Sequence, residues 1–119
     1  MENQPTSIIV QKIKKQEDDV FTLAEKYYSI LSVLNSLKLT QREVQLIAFT
    51  ANKGNISYKH LREEFCEKYG TSSPTINNMI SRLKKLGVLV KDGSKIKVNP
   101  IILLDFKKDL KLEISLVHG

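Results

Sequence analysis

Cysteine occurs once in this chain, as Cys66, so no internal disulfide can form. A lone thiol fits a reducing, cytoplasmic compartment. No apolar run approaches the ~20 residues that cross a bilayer, so no membrane partner is expected. The start, Met1-Glu2-Asn3-Gln4-Pro5, is polar and acidic and leads into no basic-then-apolar leader, so no secretory signal is expected. Catalytic signatures are missing too: there is no G-x-G-x-x-G, no P-loop and no G-x-S-x-G. Of the two histidines, His118 is beside the C-terminus and His60 lies on a charged helix. His60 and Glu64 are spaced i, i+4, but a zinc site needs a third and fourth ligand. Neither an enzyme, a metal site nor a cofactor is expected.

What is present has the size and balance of one soluble domain: 119 residues, 41% apolar and 27% charged. The net charge of +6 is unevenly placed. Residues 71–100 carry Arg82, Lys84, Lys85, Lys91, Lys95 and Lys97 against Asp92 alone. A surplus serving solubility would be spread along the chain, whereas one gathered on thirty residues suits a polyanion. The bland alternative is a solvated basic face.

Apolar spacing predicts four helices. The first runs over 19–37, with Glu17, Asp18 and Asp19 placing negative charge at its N-terminus. Its apolar surface is wider than one neighbour needs. Val20, Leu23, Tyr27, Ile30 and Leu34 are therefore read as a face that meets a second subunit, the alternative being a central core helix. The second helix opens at Thr40 and Glu43, which have capping-box spacing, and stops at Lys53-Gly54-Asn55. Ile56 suggests a one- or two-residue strand. The third helix opens at Ser57 as N-cap and ends at Gly70, with Tyr58, Leu61, Phe65 and Tyr69 on one packing face. The fourth has Ser73 as cap and Pro74 at its first position, where a missing N–H costs little.

Ile76, Met79, Ile80, Leu83 and Leu86 form the inward face of that fourth helix. Thr75, Asn78, Ser81, Arg82 and Lys85 lie opposite, flanked by Asn77 and Lys84. Consecutive asparagines are poor helix formers and call for another reason. Asparagine can pair with adenine edges, while Lys and Arg hold phosphates or read guanine. Past Gly87, Val88-Leu89-Val90 reads as a strand, Lys91-Asp92-Gly93-Ser94 as a hairpin turn and Lys95-Ile96-Lys97-Val98 as the returning strand. Segment 101–106 is apolar and fits either a short helix or a turn. Leu110-Lys111-Leu112-Glu113-Ile114-Ser115-Leu116 alternates as a strand whose natural partner is 8–13. Residues 1–17 thus form an arm whose first seven residues are loose, 18–100 the domain and 101–119 a strand-like extension.

Two helices joined by a tight Gly-containing turn carry the helix-turn-helix pattern, whose second helix enters the major groove. Thr75, Asn77, Asn78 and Ser81 are then the base readers. Ser57, Lys59, Ser72, Ser73, Arg82, Lys84, Lys85, Lys91, Lys95 and Lys97 are the phosphate contacts.

Three segments make residues 39–98 resemble the winged helix-turn-helix family, MarR-type regulators most. They are Leu39-Thr40-Gln41-Arg42-Glu43, Ile56-Ser57-Tyr58-Lys59-His60-Leu61, and Ser73-Pro74-Thr75-Ile76 through Leu83-Lys84-Lys85-Leu86-Gly87-Val88-Leu89. The resemblance implies an α+β fold of three to four helices with a two-stranded β-wing at 91–97, here with terminal strands added. It implies a helix from Pro74 that reads double-stranded DNA. The hairpin lacks the arginine of MarR-type wings, and a strand-like tail replaces their long C-terminal helices, so no effector pocket is expected. The short wing ending at Val98-Asn99-Pro100 is similar to winged-helix proteins of phages and plasmids. The expected function is a sequence-specific transcriptional regulator acting as a homodimer. The alternatives are a replication initiator and a protein-docking or phage assembly module that uses Leu110 to Leu116 for strand addition.

Overall fold

Asp19 starts the first helix by accepting the Thr22 N–H at 2.8 Å, a bond that holds its carboxyl below the usual carboxylate range. The computed structural model describes residues 6–12, 19–108 and 111–117, with side chains for 19–108. Among them the order is β1 (Thr6–Lys12), α1 (Val20–Leu34), α2 (Gln41–Lys53), α3 (Lys59–Tyr69), α4 (Ser73–Lys85), β2 (Leu89–Asp92), β3 (Lys95–Val98) and β4 (Lys111–Val117). A 3₁₀ turn, Pro100–Ile102, follows β3. The chain is therefore α+β, with four helices and two antiparallel strand pairs, β1–β4 and β2–β3.

β1 and β4 pair from Thr6↔Val117 to Lys12↔Lys111, so Thr6 and Ser7 belong to a strand rather than a loose end. That pairing also occupies one edge of the strand expected to dock by addition. Met1 to Pro5, Ile13 to Asp18, Asp109, Leu110, His118 and Gly119 lie outside the described residues, and with them the expectations for Glu17 and Asp18.

α1 stops three residues short of Leu37, and the chain leaves it through Ser36 and Lys38, both left-handed with φ of 53° and 54°. α2 carries the expected capping box. Thr40 Oγ1 accepts the Glu43 N–H at 3.1 Å, and Glu43 Oε1 accepts the Thr40 N–H at 2.9 Å. Thr40→Ala is expected to cost about 1 kcal/mol, read as a lower denaturation midpoint with an unchanged m-value.

α2 is the central helix: Val44, Leu46, Ile47, Ala48 and Phe49 are all buried. α1 packs along it through Leu23, Ala24 and Tyr28. The other side of α1 is covered from within the chain as well. The Tyr28 hydroxyl donates to the Ile102 carbonyl at 2.8 Å, and the buried Phe106 ring sits 5.7 Å from Tyr28 and 5.9 Å from Tyr27. Packing of the helical body thus continues past residue 100, and burial pushes the Tyr28 phenol well above its usual pKa. The second-subunit reading of α1 is corrected accordingly. Leu23 is in the core, Val20 and Tyr27 pack against it, Ile30 is half-buried, and Leu34 alone of the five is exposed. The wide apolar surface serves two neighbours in the same chain, α2 and the returning 100–106 segment.

Phe65 and Leu61 anchor α3 to the core, and Gly70 ends it in a left-handed conformation. α4 ends in a Schellman motif. Val88 N–H bonds to Leu83 O at 3.0 Å, Gly87 N–H bonds to Lys84 O at 3.1 Å, and Gly87 supplies the positive φ of 76°. This motif turns the chain directly into β2. The hairpin pairs Leu89↔Val98 to Asp92↔Lys95, leaving Gly93 and Ser94 as a two-residue loop. Gly93, at φ 63°, takes the first loop position, as the tight hairpin turns with glycine first require.

Candidate nucleic-acid interface

The α4 faces divide as the spacing predicts, with one exception. Ile76, Met79, Ile80 and Leu83 are buried, but Leu86, read as core, lies at the C-cap and is 39% exposed. Thr75, Asn77, Asn78, Ser81, Arg82, Lys84 and Lys85 are all exposed. Exposure does not make them equivalent, because the two flanks are tied to neighbouring helices while the centre is not.

On one flank, the Arg82 guanidinium is bonded within the chain although its side chain stays partly exposed. Nη1 donates to Glu43 Oε1, and Nη2 donates to Leu37 O at 3.2 Å and Lys38 O at 3.3 Å. Glu43 is buried and also serves the α2 capping box. Arg82 therefore ties α4 to the start of α2, and a phosphate would have to compete with these internal acceptors for its guanidinium. On the other flank, Asn77 Oδ1 accepts from Arg62 Nη1 at 2.7 Å, while Arg62 Nε donates to Ile56 O at 2.9 Å. Asn77 thus fastens α4 to α3, with one end of its amide committed.

Between the flanks, the side chains of Asn78, Ser81, Lys84 and Lys85 make no hydrogen bond or ion pair among the described residues. A shallow open groove runs along this part of α4, lined by Asn77, Ile80, Ser81, Lys84 and Lys85. Two amide or hydroxyl groups beside two ammonium groups, on a helix whose reverse side is fully buried, form a rigid polar and cationic ridge.

The start of α4 is shifted by one residue: Ser72 is the N-cap and Ser73 the first helical residue, with Pro74 second. Adjacent serines differ little as caps, so spacing could not choose between them. The Ser72 hydroxyl bonds to the Thr75 hydroxyl at 3.0 Å instead of capping a backbone amide. Ser57 is corrected too. It is not the cap of α3; that position is Tyr58, which provides no side-chain cap bond. Ser57 Oγ accepts the Ile96 N–H at 2.6 Å, and Ile56 N–H donates to Ile96 O at 3.0 Å. Segment 56–57 thus runs along the outer edge of β3 without forming the strand expected at Ile56. In consequence α1 and α2 have side-chain caps at their N-termini, while α3 and α4 have none.

The hairpin lysines also sort themselves. Lys97 pairs with Asp92 at 3.2 Å, and Lys59 on α3 pairs with Glu63 at 3.8 Å. Lys91 is exposed with no partner among the described residues. Lys95 Nζ lies 5.9 Å from the Tyr58 ring centroid, and Tyr58 stacks on His60 at 5.8 Å. Tyr58, expected to pack, is 45% exposed beside the hairpin. Spacing put it on the apolar face of α3, but as N-cap it stands before the first helical turn, so helical periodicity does not apply to it.

Comparison of the chain with protein-family models, with curated proteins and with solved structures finds no match. Among the described residues no helix is long and apolar enough to cross a membrane, and no three His, Cys, Asp or Glu side chains are grouped to hold a metal ion.

Proposed function

We propose that this chain binds double-stranded DNA as a winged helix-turn-helix regulator, with α4 in the major groove and the β2–β3 hairpin beside it as the wing. The observation that carries this reading is the unsatisfied ridge of Asn78, Ser81, Lys84 and Lys85 on a helix clamped from both flanks. Short polar side chains held on a rigid helix can read base edges, and lysines can neutralise phosphates. The uncapped N-termini of α3 and α4 add support, since backbone amides at a helix start attract phosphate oxygens. Lys91 and Lys95 supply hairpin cations, while Lys59 and Lys97 reach a phosphate only by exchanging a carboxylate partner.

Asn78 and Ser81 are the principal readers in this account, with Thr75 at the groove entrance and Asn77 as a positioning residue. Selection of bound sequences from random duplex DNA at physiological salt is expected to enrich one motif. Asn78→Ala is expected to relax one base position by about 1–3 kcal/mol of discrimination. Recovery of unenriched DNA, or an unchanged motif with Asn78→Ala and Ser81→Ala, would overturn base reading by this face.

A further inference from the structure

Asn77 has one end of its amide tied down and the other free. Arg62 Nη1 donates to its side-chain oxygen at 2.7 Å. A guanidinium only donates, so the end it holds is the oxygen and the end left over is the NH2 group. That nitrogen, Nδ2, has no partner among the described residues. Asn77 is exposed and lines the open groove along α4, with Ser81 one turn further on. To whatever enters the groove, this amide has donors to offer and no uncommitted acceptor.

The bond from Arg62 is itself held from behind. Arg62 is half-buried, and its Nε donates to Ile56 O at 2.9 Å. Ile56 is fully buried, and its N–H donates to Ile96 O of β3 at 3.0 Å. A continuous chain of bonds thus runs from the hairpin through Ile56 and Arg62 to α4. Asn77 cannot turn its amide over without breaking a charge-assisted bond, the stronger kind. The same bond polarises the amide and makes the Nδ2 protons better donors.

An unconstrained asparagine reads adenine with both ends of its amide, one accepting from N6 and the other donating to N7. At Asn77 a second donor would have to share Oδ1 with a charged one. We propose that Arg62 makes Asn77 a donor-only reader that selects guanine. Guanine presents two acceptors in the major groove, N7 and O6, whereas the amino groups of adenine and cytosine would set donor against donor. Thymine, with O4 alone, ranks second. Asn77 is the contact and Arg62 the positioning residue that acts through it. Asn78, the next residue, has neither end of its amide committed and keeps the ordinary adenine pairing, so the two adjacent asparagines read different bases. The inference rests on the DNA-binding reading of α4 and assigns it one base.

The test is selection of bound sequences from random duplex DNA by the full chain and two variants. The wild type is expected to favour guanine about tenfold at one position, the low end of what a base contact contributes. Arg62→Met keeps much of the stem and removes the donor. Asn77 is then free to turn, and that position is expected to change from guanine to adenine while the rest of the motif stands. Asn77→Asp keeps an oxygen for Arg62 and puts a second acceptor in place of the donor, so the same position is expected to change to cytosine. A merely structural role would weaken every position together and exchange no base. If Arg62→Met fails to fold, Asn77→Asp decides alone. A motif that keeps its base at this position in a folded Arg62→Met protein, or in Asn77→Asp, overturns the proposal. A second readout needs no DNA: the NMR signals of the Asn77 side-chain amide should move in Arg62→Met, and unmoved signals overturn the clamp whatever the chain binds. A wild type that enriches no motif instead overturns the DNA-binding reading itself, and this inference with it.

Discussion

Arg82→Ala is expected to destabilise the fold by about 2–3 kcal/mol, lowering Tm by roughly 10 °C. Its guanidinium is the cation paired with Glu43, whose side chain is 5% exposed, and it also holds the Leu37 and Lys38 carbonyls. Removing one partner of a buried pair leaves an uncompensated charge, which typically costs 3–5 kcal/mol. The lower figure applies because Arg82 itself is 43% exposed and Glu43 keeps its bond from the Thr40 amide. The test is a double-mutant cycle by urea denaturation. Glu43→Gln in the Arg82→Ala background removes the bare carboxylate and should recover half or more of the loss. Arg82→Lys should recover less, since an ammonium cannot span the carboxylate and both carbonyls in the guanidinium's planar fork. If Arg82→Ala melts with the wild type, the clamp contributes nothing and Arg82 returns to the candidate phosphate contacts.

Arg82 also shows where sequence reasoning stops. Its position on the polar side of a basic helix made it look like a phosphate contact, and nothing local marks Glu43, thirty-nine residues earlier, as its partner. Features closed within a few residues were legible. The Thr40–Glu43 box, the Gly54 and Gly70 stops, the Gly87 exit and the hairpin each depend on short-range bonds whose chemistry is written in adjacent letters. The buried row of α4 was legible because helical spacing alone sets it, and the pairing of the terminal segments, though not its antiparallel direction, because a β-branched stretch and an alternating one had few other partners. What failed depended on distant contacts. Ser57 has the chemistry of a cap but bonds across to Ile96. Leu86 keeps the helical period yet lies past the last turn. The width of the apolar surface of α1 was visible, but not that Phe106 covers it. For the candidate site, composition showed which residues were polar or cationic. Only the fold separates those already bonded, such as Arg82 and Asn77, from those left unsatisfied, such as Asn78 and Lys85.

Combined replacement of Lys84, Lys85 and Lys91 by alanine is expected to weaken DNA binding roughly a hundredfold at physiological salt and to flatten its salt dependence by about 2.7 in log–log slope. The three side chains are exposed and make no ion pair or hydrogen bond among the described residues, so a phosphate gains their full charge with no internal bond to break. Each lysine on a phosphate displaces about 0.9 of a condensed counterion, so three should change the slope nearly three times as much as one. Stability should be unaffected, because none of the three side chains is held in the fold. Lys53→Ala is the matched control: Lys53 is paired with Glu64 at 2.9 Å on α2 and α3, away from the α4 ridge, and its loss should leave the slope unchanged. Titration of a labelled duplex at four or five salt concentrations decides the matter. A triple variant that keeps the wild-type slope would show that these lysines meet only water, and the DNA-binding proposal would fall with them. A reduced slope with an unchanged sequence motif would place the lysines on the backbone and leave base reading to Asn78 and Ser81, the division of labour that the α4 geometry implies.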